Sequence, residues 1–360
     1  MKKKILTIVG ARPQFIKVMP LALELDKFFN SKIIHTGQHY DYQMSKIFFK
    51  ELNIPKPSHN LDVGSGPHGA QTAKMIERLE KIFKKYAPAF VIVPGDTNST
   101  LAGTLAAVKL KIPVVHIEAG LRSYVRDMPE EINRVLTDHS SSVLFCPTRN
   151  AIKNLEKEGI KKGVFLSGDV MADSIRKAVL AAKKNRTLLK RLGLKKKEYY
   201  LLTLHRDFNT DSKKGLVSLI GKLEKSVKKI VFPVHPRTKN ALESFGLLKK
   251  IKTNKKFLLI PPQGYVDFVT LQICADMIIT DSGGVQKEAY MLKVPCLTLR
   301  KETEWVETLA DKANILVGKY GAKLKNGHLS CSRKCTWKDN VFGRGNNSKR
   351  IAETLKRYFC

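Results

Sequence analysis

The feature that most restricts what this chain can fold into is a repeated alternation of short, β-branched apolar runs with helix-length segments. Runs at 5–9, 33–36, 90–93, 114–117 and 142–145 are strand candidates. Helical patterns at 15–28, 72–86 and 100–109 lie between them. Strands separated by crossover-length helices pair in parallel, and a parallel sheet needs helices on both faces. The pattern then restarts: 199–203, 229–234, 257–260, 277–280 and 296–299 predict a second sheet, with helices at 215–227, 266–274 and 285–292. The basic stretch 176–197 reads as a helix and a turn leading into this second half. The expected class is α/β, two Rossmann-like doubly wound domains facing a cleft, with 1–170 as the first and 171–347 as the second. A length of 360 residues, more than one comfortable core, agrees with two domains. Ligands of such folds sit at the carboxyl ends of the strands.

Charge bears on the partner. Lys+Arg 65 against Asp+Glu 32 leaves a formal +33, and an excess of that kind raises the question of nucleic acid. The distribution argues otherwise. Lysines come in pairs and triplets along the whole chain (Lys2-Lys3-Lys4, Lys84-Lys85, Lys195-Lys196-Lys197, Lys255-Lys256) and read as solvated basic faces. No helix-turn-helix, zinc-finger or aromatic RNA-binding spacing is present. No nucleic-acid partner is expected, and a positive field equally suits the diphosphate of a sugar nucleotide. Cys146, Cys274 and Cys296 stand in apolar runs as small core residues, and Cys331 and Cys335 lack companions for a zinc site. The opening MKKKILTIVGARP is cut by Arg12 and Pro13 before it can act as a signal segment, and no run approaches the roughly 20 apolar residues of a membrane span. A cytoplasmic protein without membrane contact is the expectation.

The chemistry-bearing residues fall at strand ends. After the first run, Gly10-Ala11-Arg12-Pro13 lacks the dinucleotide fingerprint, so NAD is not expected there. Arg12 and Lys17 flank the turn, either as anion ligands at a helix start or as surface cations. Asp96 follows the 90–93 run and suits a helix cap or chemistry. Glu118 ends the 114–117 run, and Glu130 lies in Met128-Pro129-Glu130-Glu131, a charged helix start when taken alone. Three carboxylates at one cleft would raise one another's pKa and suit general acid/base work. In the second half, His205-Arg206 and His235-Pro236-Arg237 end successive strands, a pairing that leans toward an anionic ligand. Asp281-Ser282-Gly283-Gly284 opens a helix, where glycines admit a phosphate to free N–H groups and Glu288 is placed to accept from a ribose diol. A plain glycine-rich turn is the alternative. The G-x-S-x-G pattern of a nucleophile elbow is absent.

Taken together, GARPQFIK, TGQHYDYQM, PGDTNST, HIEAGLRS, MPEEINR, TLHR, PVHPRT, PPQGYVDF, TDSGGVQKEA and VPCLTLRKETEW occur in the order of the non-hydrolysing UDP-N-acetylglucosamine 2-epimerases, which the chain resembles from its first strand to about Trp305. The resemblance implies a glycosyltransferase-B type fold whose final helix, within 348–360, packs back on the first domain. It implies reversible conversion of UDP-GlcNAc to UDP-ManNAc by elimination of UDP to 2-acetamidoglucal and re-addition, with no redox cofactor or metal and with a homodimer through the first domains; the alternatives are 2-epimerisation of a modified UDP-amino sugar and sugar transfer by a glycosyltransferase of the same fold. By the same resemblance, Asp96, Glu118, Glu130 and His205 are catalytic. Arg12, Lys17, His235, Gln263, Phe268, Ser282, Gly283, Gly284 and Glu288 are expected to bind the substrate. Three places depart from the bacterial pattern: Asp207 replaces an arginine, Trp305 stands at a nucleotide-contacting arginine with Arg300 as a candidate substitute, and Ala70-Gln71 replaces an arginine–glutamine pair used for a second, activating UDP-GlcNAc. The reaction type survives these changes, whereas support for activation by substrate is lost.

Overall fold

The computed structural model describes residues 1–37, 57–184, 187–324 and 335–360. Most of the TGQHYDYQM motif, from Gln38 to Met44, lies outside them, as does Cys331. The described chain divides into two compact units: Met1–Arg176 with Asn340–Cys360, and Lys177–Asp339.

The first unit runs β1 (Lys4–Val9), α1 (Arg12–Leu25), β2 (Asn30–His35), β3 (His59–Asn60), α2 (His68–Tyr86), β4 (Phe90–Pro94), α3 (Asn98–Lys109), β5 (Val114–Ile117), α4 (Pro129–Ser140), β6 (Val143–Cys146), α5 (Arg149–Lys157), β7 (Val164–Leu166) and α6 (Val170–Lys184). The unit boundary falls inside α6. The second has α7 (Thr187–Arg191), β8 (Tyr199–Thr203), α8 (Asp207–Thr210), α9 (Lys213–Glu224), β9 (Lys229–Pro233), α10 (Pro236–Ser244), α11 (Leu248–Thr253), β10 (Phe257–Ile260), α12 (Tyr265–Cys274), β11 (Met277–Thr280), α13 (Gly283–Met291), β12 (Cys296–Thr298) and β13 (Asn314–Leu316). The chain ends in α14 (Asn347–Phe359).

Both sheets are parallel, in the orders β3-β2-β1-β4-β5-β6-β7 and β10-β9-β8-β11-β12-β13. The expected doubly wound α/β class is therefore found in each unit. Alternation along the strands explains the double-sided burial. Ile5, Phe90 and Ile92 join one core with Leu21, Leu25 and Phe29, while Leu6, Val91 and Val93 join another with Met75, Leu79 and Phe83. In the second unit Tyr200, Leu202, Ile230 and Phe232 face one core, and Tyr199, Leu201 and Val231 the other. The expected strands are all present. The edge strands β3, β7 and β13 escaped the sequence reading because each has only two or three residues, too short a run to register. Helix α4 is the charged helix start read around Glu130: Pro129 begins it, and Glu130 and Glu131 in its first turn oppose the positive end of the helix dipole.

Helix α14 belongs to the first unit. Ile351, Ala352 and Leu355 enter the core beside Leu21 and Leu25 of α1, and the Phe359 ring stacks on Phe90 at 4.2 Å. Leu355 is fully buried, so Leu355→Ala is expected to cost about 2–5 kcal/mol through lost burial and a residual cavity. Denaturant unfolding of the full chain against the parent measures that loss.

Candidate active site

In each sheet the strand order reverses once, between β1 and β4 in the first unit and between β8 and β11 in the second. Crevices open at such reversals, outside the carboxyl ends of the strands. The predicted site residues lie at or after the carboxyl ends of strands in the two sheets, some at the reversals and others after β5, β9 and β10.

In the first unit the reversal is fastened by a buried glutamine. Gln14 Oε1 accepts from Gly10 N at 2.8 Å and Ala11 N at 3.0 Å, while its Nε2 donates to Pro94 O at 2.8 Å and to Thr100 Oγ1 at 3.1 Å. One side chain thus ties the end of β1 to the end of β4. Arg12 is the first residue of α1, and Lys17 lies one turn further. Lys17 pairs with Glu118, whose side chain is almost wholly buried. A side chain at Gly95 would meet Lys17 Nζ at 3.4 Å and Glu118 Oε2 at 3.6 Å, so this ion pair sits on the turn that carries Asp96. Asp96 pairs with Arg134, which also bonds Glu131 at 2.8 Å. Glu130 is half-buried at the start of α4.

Glu118 and Asp96 therefore have cationic partners, and both partners matter for geometry. Glu118 adopts a φ of +70°, a conformation that a non-glycine residue holds only when its surroundings impose it. Those surroundings are a polar chain buried at His116, Asp138 and Arg122. His116 Nδ1 lies 2.6 Å from Asp138 Oδ1, and His116 Nε2 lies 2.8 Å from the Gly95 carbonyl. Asp138 Oδ2 accepts from Gly120 N at 3.0 Å and from Arg122 at 2.6 Å, and Arg122 forks onto Glu158 at 2.6 and 2.7 Å. Burial opposes the Asp138 charge, but His116 and Arg122 outweigh it and hold its carboxyl below the usual range. At Gly120, φ is +78° and a Cβ would lie 2.3 Å from Ala151 O, so glycine is required there. Sequence reading missed Gln14, Arg134 and Asp138. Gln14 and Arg134 stood inside quoted motifs, but their work depends on partners some 35 to 90 residues away.

In the second unit the fastening group is Asp281, completely buried. It accepts from the backbone N–H of His205 and Arg206 at 3.0–3.2 Å and lies 3.0 Å from His205 Nδ1. Burial would raise its pKa, yet His205 and those N–H groups prevail and hold it low. His205 thus has its ring oriented through Nδ1, leaving it half-exposed. Its centroid is 5.6 Å from that of exposed His235, which caps α10 by accepting from Arg237 N at 3.3 Å. The paired histidines at successive strand ends thus adjoin. Ser282 caps α13 without a side-chain bond to the helix. The two glycines differ: a Cβ at Gly283 would strike Glu304 Oε1 at 2.2 Å, whereas Gly284 is exposed with nothing nearer than Ser282 Oγ at 3.9 Å. The approach open to a phosphate is over Gly284. Glu288 is buried, with Oε2 accepting from Gln272 Nε2 at 2.7 Å. Gln263 and Phe268 are half-buried at either side of the α12 start, and Gln263 Nε2 donates to Pro261 O at 2.6 Å. Among the described residues no His, Cys, Asp and Glu group could hold a metal, and no helix is long and apolar enough to cross a membrane.

A family profile described as UDP-N-acetylglucosamine 2-epimerase matches residues 21–356. This chain belongs to that family. Its members are isomerases, and the chain is an enzyme of that class. It is 53% identical over 354 residues to a UDP-N-acetylglucosamine 2-epimerase homolog of Methanococcus maripaludis, covering 98% of this chain and 99% of the relative. It is 44% identical over 364 residues to the UDP-2,3-diacetamido-2,3-dideoxy-D-glucuronate 2-epimerase of Pseudomonas aeruginosa, covering 98% and 99%. The crystal structure of Methanocaldococcus jannaschii UDP-GlcNAc 2-epimerase in complex with UDP-GlcNAc and UDP matches with a TM-score of 0.91 at 47% identity, covering 99% of this chain and all of that one. The glycosyltransferase-B type of fold is thereby established for this epimerase.

Asp281 gives a stability test. Its depressed pKa means that the ionised form supports the fold fully above the ordinary carboxylate value, and that this support fades as pH falls below roughly 4. Asp281→Asn is expected to cost about 3–5 kcal/mol at neutral pH by breaking a buried charged network. Chemical denaturation from pH 7 downward should show a shallower acid dependence in the variant than in the parent.

Proposed function

We propose that this epimerase interconverts UDP-GlcNAc and UDP-ManNAc by elimination and re-addition. The proton at carbon 2 of the sugar is poorly acidic, because no carbonyl adjoins it in the ring. A base removes it while the bond from carbon 1 to UDP breaks, leaving 2-acetamidoglucal and UDP. Re-addition of UDP at carbon 1, with a proton delivered to the opposite face of carbon 2, completes the inversion. Atoms and charge balance without an oxidant or a metal.

The observation that carries this reading is the pair of carboxylates at adjacent strand ends, Asp96 after β4 and Glu118 after β5, each fixed by a cation. Proton transfer needs positioned carboxylates, and departure of a diphosphate needs cations and N–H donors. We assign the proton transfers to Asp96, Glu118 and Glu130, with His205 as a further catalytic group. Arg12 and Lys17 belong to the substrate set of the first unit. His235, Gln263, Phe268, Ser282, Gly283, Gly284 and Glu288 belong to the nucleotide set of the second. The product would supply activated ManNAc-type sugars for glycan synthesis, from a cytoplasmic homodimer.

Incubation with UDP-GlcNAc in deuterated water is the test. The expected product is UDP-ManNAc carrying deuterium at carbon 2, with turnover at least about a hundredfold lower in Glu130→Gln and His205→Ala, as for loss of a general acid or base. Complete retention of the original hydrogen would sink the mechanism, and full activity in both variants would sink the assignments. A second reading is favoured by the Pseudomonas relative, whose substrate is a diacetamido uronic acid: this chain would then epimerise a modified UDP-amino sugar. Parallel turnover on UDP-GlcNAc and on that sugar separates the two, the better substrate by kcat/KM deciding.

A further inference from the structure

One buried carboxylate stands where the supports of Asp96 and Glu118 meet. Asp138, near the end of α4, exposes none of its side chain. Its Oδ1 lies 2.6 Å from His116 Nδ1, and its Oδ2 accepts from Gly120 N at 3.0 Å. His116 and Gly120 stand two residues before and two residues after Glu118. Asp138 thus clasps the chain on both sides of the residue that holds a φ of +70°. The clasp continues to the neighbouring strand end. Gly95 donates its N–H to Ile117 O at 2.9 Å, and its carbonyl is 2.8 Å from His116 Nε2. Both backbone polar groups of Gly95, the residue before Asp96, are therefore held by β5. A carbonyl can only accept, and so can a carboxylate that already takes hydrogens from Gly120 N and Arg122. The His116 ring accordingly donates at both nitrogens.

Stability alone does not explain such a network. Apolar side chains of similar volume often pack a helix on a sheet with equal or greater stability. What hydrogen bonds add is direction: they fix the backbone at Gly95, His116 and Gly120 within narrow distances and angles. A non-glycine residue keeps a left-handed backbone only where its surroundings over-determine it, and such residues cluster at functional sites. Glu118 is that residue, and Asp138 supplies the bonds on either side of it. The same helix reaches Asp96 by two further contacts, Asn133 Nδ2 to Asp96 O at 3.0 Å and the Arg134–Asp96 ion pair. Helix α4, which carries Glu130 in its first turn, thereby locates the turns of Asp96 and Glu118 against itself.

We propose that Asp138, acting through His116 and Gly120, is the positioning residue that holds Glu118 and Asp96 in register for proton transfer at carbon 2 of the sugar. Asp138 touches no substrate in this scheme and transfers no proton to it. Arg122 balances its charge, so the carboxylate stays buried and fixed. The proposal rests on the assignment of Asp96 and Glu118 to proton transfer made above.

Turnover in deuterated water, on whichever of UDP-GlcNAc and the diacetamido uronic acid sugar the parent prefers, tests it together with UDP titration calorimetry. Asp138→Asn turns an amide N–H onto one of the donors that the carboxylate now faces. Its kcat is expected to fall about a hundredfold, as for a reacting group displaced by about an ångström. KM and the UDP Kd should stay within about threefold of the parent, with the binding stoichiometry kept. His116→Gln retains an N–H for the Gly95 carbonyl and should keep about tenfold more turnover than His116→Ala. A fall in kcat matched by an equal fall in UDP stoichiometry would mean that the network only keeps the chain folded, and the proposal would be overturned. Parent-like kcat in Asp138→Asn, equal turnover in the two His116 variants, or failure of all three to fold, judged by denaturant unfolding, would overturn it as well. If the parent exchanges no hydrogen at carbon 2 of either sugar, the reading of the reaction fails first, before any variant is compared, and this inference falls with it.

Discussion

Everything in the two candidate half-sites depends on how each sheet is held together where its strand order reverses. At such a reversal the crossover helices leave on opposite faces, and the strand ends part to form the crevice that makes the fold useful. The same parting removes packing that would otherwise hold those ends. One buried polar side chain replaces it in each unit. Gln14 spans β1 and β4 with both its acceptor and its donor engaged. Asp281 spans β8 and β11 through two backbone N–H groups and the His205 ring. Buried polar groups that are fully bonded rigidify their surroundings, whereas half-bonded ones destabilise them. That is why a neutral amide and a paired carboxylate can occupy equivalent topological places.

The charge arrangement follows the same economy. The sequence carries a large positive excess, and most lysines lie on exposed surfaces, where a single pair such as Lys81 with Glu77 contributes little. The cations that fasten the carboxylates of the first unit are the buried or half-buried minority. Lys17 steadies Glu118, Arg134 steadies Asp96, and Arg122 anchors the chain from Glu158 through Asp138 to His116. Lys17 and Arg134 act on carboxylates placed by two different strand ends, and Arg122 on carboxylates in α4 and at the end of α5, so the arrangement is assembled by long-range pairs and not by neighbours along the chain. The exposed lysines keep the molecule charged in solvent.

Much of the architecture was legible before any coordinates. The parallel strands are apolar on both faces and short, and this pattern has few physical solutions other than a helix-covered sheet. The strand-end carboxylates and histidines were legible too, because position after an apolar run places a residue at the mouth of the sheet. Edge strands were not legible: His59–Asn60 and Asn314–Leu316 have no run long enough to register. The partners of these carboxylates were not legible either, since sequence shows charges but not what meets them. Glu118 and Asp96 turned out to be balanced by cations from α1 and α4.

The sequence by itself determined the class of fold, its two-sheet organisation, and the family, because periodicity and motif order are properties of the chain read in one dimension. Tertiary structure decided which groups meet. Gln14 reaches Thr100 across more than eighty residues, Asp281 reaches His205 across some seventy-five, and Lys287 finds the Trp305 ring from a neighbouring segment. It also separated two adjacent glycines of identical sequence character, leaving Gly284 open and Gly283 closed against Glu304. Side-chain direction and contact are set by packing in three dimensions, where a residue's surroundings come from chain segments that the local sequence does not name.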